Sequence, residues 1–149
     1  SQLTTAVDLL TQANTQGRAG IATVWIGSND LWYLYDGENS SPDENESADA
    51  QRYSDNLNKI LGDLRATGAT VVVALLDDQS KRPVAVAGQA FPGVTTGELT
   101  LMSQQVERYN DAVRSQAAQH GAVVVDFFNT TLFTNAATLA DDGNHPGLS

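Results

Sequence analysis

An α/β fold, a three-layer α/β/α sandwich built on a parallel sheet, is what this sequence predicts, and three observations lead there. Three short apolar runs, "IATVWIG" (21–27), "ATVVVALL" (69–76) and "GAVVVDFF" (121–128), are rich in β-branched residues and do not alternate, as in parallel strands buried on both faces. Stretches of helical periodicity separate them. Each run is followed by a long polar segment, and such segments at the carboxyl ends of the strands are where open parallel sheets hold their functional groups.

Taken in order, residues 3–13 place Leu3, Val7 and Leu10 on one stripe and predict a first helix, before the 21–27 strand. The segment from Gln51 to Thr67 aligns Leu57, Ile60, Leu61 and Leu64, a second helix leading into the 69–76 strand. A third, Gly97 to His120, runs Met102, Val106, Tyr109, Val113 and Ala117 down one face, with Thr95 and Glu98 at capping-box spacing. The 121–128 strand follows. Helices alternating with strands imply right-handed crossovers and a sheet covered on both faces. Only three strands are visible where a doubly wound sheet has about five, so the sheet is expected to be incomplete at its start.

The chain of 149 residues, 41% of them hydrophobic, is sized for one core, and a single domain over 1–149 is expected. Its 18 acidic and 8 basic residues give a formal charge of −10, a field that repels phosphate backbones and anionic lipid heads, so nucleic acid and membrane surfaces are not expected partners. No run approaches the roughly 18 apolar residues of a membrane helix. The absence of cysteine excludes disulfides and thiolate metal sites. Few lysines and many Thr, Asn and Gln suit a secreted or extracytoplasmic bacterial protein. The acidic stretch "DGENSSPDENESAD" (36–49) lacks calcium-loop spacing and is expected to be a solvated surface insertion.

Two stretches carry the chemistry. In "WIGSND", Gly27 lets the backbone turn sharply at a strand end and brings Asn29 to the carboxyl edge of the sheet, as a candidate oxyanion donor or as part of an ordinary Ser-Asn-Asp turn. In "DDGNHPG", Asp142 stands three residues before His145, close enough to hold one ring nitrogen while the other faces a substrate, the arrangement of a general base. His120, at the end of a long helix, reads as a C-terminal dipole or capping residue. Asp141, Asp142 and His145 could in principle meet a metal, but no clear fourth ligand exists, and neither metal nor cofactor is expected. The acidic pair of "VVVALLDD" is like that of a phosphate-receiver domain, yet the only lysines, Lys59 and Lys81, leave none at a usable later position.

Together, "VWIGSNDLW" and, over a hundred residues later, "LADDGNHPGLS" resemble the SGNH, or GDSL-type, hydrolases, whose third block carries Gly-x-Asn-Asp and whose fifth carries Asp-x-x-His. "ALLDDQSKRPV" is similar to that family's loop after its fourth strand. The resemblance implies a flavodoxin-like sandwich that hydrolyses esters, with His145 as base, Asp142 as its orienting acid, Asn29 as oxyanion donor, Gly27 shaping that loop and Asp30 supporting it. It also implies a Gly-Asp-Ser nucleophile block on the first strand, and a second-block Gly whose N–H joins the oxyanion hole. Neither is present: no Ser follows Gly-Asp, no Gly-x-Ser-x-Gly elbow exists, Ser28 sits inside the Asn29 block, and Ser1 is too near Gly27 for an intervening strand and crossover. The nucleophile is therefore expected on an N-terminal segment of the same protein, cleaved or outside this sequence, and a C-terminal helix after "HPGLS" is expected to be missing too. The chain alone would then be inactive. The alternative is a non-catalytic member that binds a glycan or partner, or an inert fragment. Trp32, Tyr33 and Tyr35 could line a substrate wall, and Phe91 and Pro92 in the 77–96 loop a wall or lid; lipid, short-chain ester and acetylated carbohydrate all remain open as substrates.

Overall fold

A computed structural model describes residues 1–35, 43–89 and 94–147 of the chain. In sequence order the elements are α1 (Gln2–Thr15), β1 (Ile21–Val24), α2 (Ser28–Tyr35), α3 (Asp43–Ala66), β2 (Thr70–Ala74), a 3-10 turn (Gln79–Lys81), α4 (Pro83–Val86), α5 (Thr96–His120), β3 (Val123–Val125) and a second 3-10 turn (Ala136–Thr138). The strands form one parallel sheet in the order β1-β2-β3, with Ile21 opposite Thr70 and Val72 opposite Val123. The α/β class with a parallel sheet is thus the observed one.

Leu57, Leu61 and Leu64 of α3 and Val106, Tyr109, Val113 and Ala117 of α5 pack onto Val24, Val71 and Val73 of the sheet, and Leu3, Val7 and Leu10 of α1 border this core. The stripes read from the periodicity of α3 and α5 are therefore the core-facing ones, with Ile60 partly buried, while that of α1 is partly buried throughout. Successive strand residues point to opposite faces, and the second face is bare: Ile21 is 70% and Val123 54% exposed. Among the described residues no helix covers it, so burial on both faces, which the apolar runs predict, is met on one face of β1 and β2 only, and all three residues of β3 are exposed.

Each strand is shorter than its apolar run because the backbone leaves the ladder before the apolar residues end. At β2 the transition is handled by a side chain: Asn110 of α5 accepts from Leu76 N–H at 2.7 Å and donates to Leu76 C=O at 2.9 Å. This amide satisfies both backbone groups of a buried residue where no strand can. The predicted capping box is formed, with Glu98 N–H donating to Thr95 Oγ1 (3.2 Å) and Thr95 N–H to Glu98 Oε2 (2.6 Å). At the other end of α5 the His120 ring bonds Asn58 Oδ1 of α3 at 2.6 Å, while its carbonyl accepts from Arg65 Nε at 3.0 Å. His120 therefore ties α5 to α3, and Arg65 satisfies the helix end.

The acidic stretch 36–49 is corrected in part. Residues 36–42 lie outside the described ones, but Asp43–Asp49 belong to α3 rather than to a solvated insertion. Glu46 is fully buried, accepting from Tyr35 Oη at 2.6 Å and facing Arg108 Nη1 at 3.5 Å. Asp49 accepts from Gln105 Nε2 at 3.1 Å and from the Tyr109 hydroxyl. A buried carboxylate is tolerated only with such partners. Burial first, and then these carboxylate bonds, push the Tyr35 and Tyr109 phenols well above their ordinary range. The network locks α2, α3 and α5 together behind the carboxyl end of the sheet.

Candidate functional site

After β1, Trp25 and Ile26 carry the chain to Gly27, whose φ of 111° is a conformation that side chains resist. A Cβ there would also lie 2.8 Å from Tyr53 Cε2 and 3.0 Å from Leu76 Cδ1. Glycine is required twice over, by the backbone and by the stacked Tyr53–Tyr109 pair (centroids 4.0 Å, planes 3° apart) pressed against it. The Gly27 carbonyl accepts from Leu31 N–H at 3.0 Å and starts α2. Asn29 is consequently the second residue of a helix, in a first turn whose N–H groups have no carbonyl partner within the helix. Asp30 is in the same turn, where a negative charge suits the helix N-terminus. Ser28 Oγ donates to Gln79 Oε1 at 3.0 Å.

The His145 turn is held by its own residues. Leu139 and Pro146 form an antiparallel bridge, Ala140 N–H donates to His145 C=O (2.8 Å), and Gly147 N–H to Thr138 C=O (3.0 Å). Inside it, Asp142 Oδ1 accepts from the N–H groups of Asn144 (2.8 Å) and His145 (2.9 Å), and Asp142 Oδ2 meets His145 Nδ1 at 2.6 Å. An ionised carboxylate can only accept, so Nδ1 is the donor and Nε2 of a neutral ring is left with its lone pair. The His145 ring and backbone bonds, followed by that from Asn144, hold the Asp142 carboxyl at about 2, below its ordinary value. The pair is solvent-facing, with the His145 side chain 72% exposed.

A cavity of about 230 Å³ joins the two stretches: Trp25, Ile26, Ser28, Asn29, Trp32 and Leu76 line one part, and Arg82, Asn144, His145 and Pro146 the other. Of the residues singled out from the sequence, Asn29, Trp32 and His145 share this space, with Asp142 behind His145 and Gly27 shaping the turn. Tyr33 is not among them; it borders a larger, neighbouring concavity with Asn29, Asp30 and Arg52. Tyr35 is buried on Glu46 and lines no wall. Phe91 and Pro92 lie outside the described residues, and the described part of their loop is the Gln79–Lys81 turn and α4.

Arg82 and Asn144 escape sequence reasoning. Arg82 is 5% exposed, pairs with Asp77 through Nε (2.8 Å) and Nη2 (2.7 Å), and reaches Asn144 C=O (3.1 Å) and Oδ1 (2.6 Å) through Nη1. Its guanidinium lies 5.1 Å from the Phe133 ring centroid. Neighbouring Asp78 is raised by burial but lowered further by Lys81, Ser80 and Ser103, and so stays ionised. Among the described residues no three His, Asp or Glu side chains converge as metal ligands would.

The parallel α/β sheet thus brings the helix-borne Asn29 and the Asp142–His145 pair to one cavity at the carboxyl ends of its strands. Comparison with protein-family models matches residues 1–148 to the GDSL-like Lipase/Acylhydrolase family, and the chain belongs to that family. Comparisons with curated proteins and with solved structures returned no match.

Proposed function

We propose that this chain carries the acid-base half of a serine-dependent ester hydrolase. The observation that carries the reading is the Asp142–His145 contact, presented to the same cavity as Asn29. His145 Nε2 takes the proton of a serine hydroxyl as it attacks the ester carbonyl; Asp142 stabilises the imidazolium; the Asn29 amide donates to the oxyanion. The proton passes to the leaving alcohol, and water, activated by the same nitrogen, releases the acid and frees the serine. The serine itself comes from a segment of the protein outside residues 1–149. Two observations support this: no Gly-Asp-Ser occurs in the 149 residues, and the exposed Ile21 on β1 and bare second sheet face offer apolar surface for a further strand and helix.

The test is turnover of p-nitrophenyl acetate by the full-length protein. His145→Ala is expected to abolish it, and Asn29→Ala to lower kcat by on the order of 10²-fold. Full turnover by His145→Ala would contradict the assignment. A folded full-length protein without esterase activity would instead favour a non-catalytic binding module.

A further inference from the structure

The Asp142–His145 pair is fixed within its turn, but the turn must also be fixed against the rest of the site. At its entry the turn is tied to the chain just before it, Thr138 and Leu139 donating to carbonyls of Leu132, Asn135 and Ala136. Among the described residues two sets of hydrogen bonds join residues 138–147 to the segment after β2: Val84 N–H to Gly143 C=O at 3.4 Å, at the long limit of a bond, and the Arg82 Nη1 bonds to Asn144 C=O and Oδ1. Arg82 is in turn immobilised by its bidentate pair with Asp77, three residues beyond β2, and by the Phe133 face. Phe133 packs against Trp25, 5.5 Å between centroids, and Trp25 lines the cavity from the Asn29 side.

We propose that Arg82 is a positioning residue: its guanidinium sets where His145 stands relative to Asn29 and the reacting carbonyl, without entering the chemistry. The geometry argues against a direct role. Nε and one Nη2 hydrogen go to Asp77, and both Nη1 hydrogens go to Asn144, so the group has little left for a substrate. It does have the traits a positioning group needs: it is buried, planar, permanently charged and multiply bonded to both sides of the gap it bridges. Asn144 and His145 are adjacent, so a shift of one moves the other. A displacement on the order of 1 Å at a general base can cost about 10²-fold in rate.

The inference rests on the assignment of His145 as the base, and the test separates the two. In the full-length protein, Asn144→Ala keeps the Arg82–Asp77 pair and removes one anchor; Arg82→Ala removes the bridge, and Arg82→Lys keeps the charge but not the fork. With p-nitrophenyl acetate, kcat is expected to fall roughly 10-fold in Asn144→Ala and roughly 10- to 100-fold in Arg82→Ala and Arg82→Lys, with KM changed less than about threefold. Guanidinium ion at sub-denaturing concentration is expected to restore part of the kcat of Arg82→Ala and none of that of His145→Ala. A merely structural Arg82 would lower the folded fraction and leave kcat per folded molecule intact. Unchanged kcat in Asn144→Ala and Arg82→Lys, with His145→Ala inactive, would overturn the positioning role alone; an active His145→Ala would overturn the assignment beneath it.

Discussion

The Asp142 carboxylate accepts hydrogen bonds from Asn144 N–H, His145 N–H and His145 Nδ1, and protonation would weaken or remove all of them. Its carboxyl is held at about 2 in the folded chain, against roughly 3.9 for an unfolded Asp. The contribution to the turn is therefore complete above the unfolded value and is lost as pH falls through about 2. A carbon-detected NMR titration of Asp142 is expected to give a midpoint near 2, moved upward in His145→Ala; a midpoint near 4 in the unaltered protein would contradict the contact. Asp142, His145, Gly27 and Asn29 were singled out in the sequence by two blocks that together resemble the family, and the structure brings Asn29 and His145 to one cavity. Arg82 was not singled out, since nothing local distinguishes an arginine that will be buried from one on the surface. Its place depends on Asp77, Phe133 and Asn144, up to 62 residues away.

Between elements, the strand-to-helix turn at Gly27 is constrained both by its backbone and by its neighbours. With φ at 111° and a virtual Cβ 2.8 Å from Tyr53 Cε2, Gly27→Ala must strain the backbone and separate the stacked tyrosines. A loss of about 1–3 kcal/mol is expected, read as a lower denaturation midpoint in urea at unchanged slope; a neutral substitution would mean that the turn is not as described. The helix stripes and the capping box were readable because they are local patterns with fixed periods. The first turns of α3 were not. "DENESAD" has the composition of solvent-exposed chain, and Tyr35, Gln105, Arg108 and Tyr109, arriving from α2 and α5, make the burial of Glu46 and the partial burial of Asp49 tolerable. Composition reports what water would accept, and here partners distant in sequence replace the water.

At the scale of the whole molecule, no helix among the described residues covers the sheet face that carries Ile21, Val123 and Val125, and all three are exposed. Asn29 and His145 line one cavity, with Asp142 bonded to His145, and no Gly-Asp-Ser occurs in the 149 residues. We attribute both to one segment, which would extend the sheet beside β1 and place its serine against His145. Fluorophosphonate labelling of the full-length protein, followed by peptide mapping, tests this most directly. The expected result is a single adduct on a serine outside residues 1–149, lost in His145→Ala; an adduct on Ser28 or another serine of this chain would contradict the account.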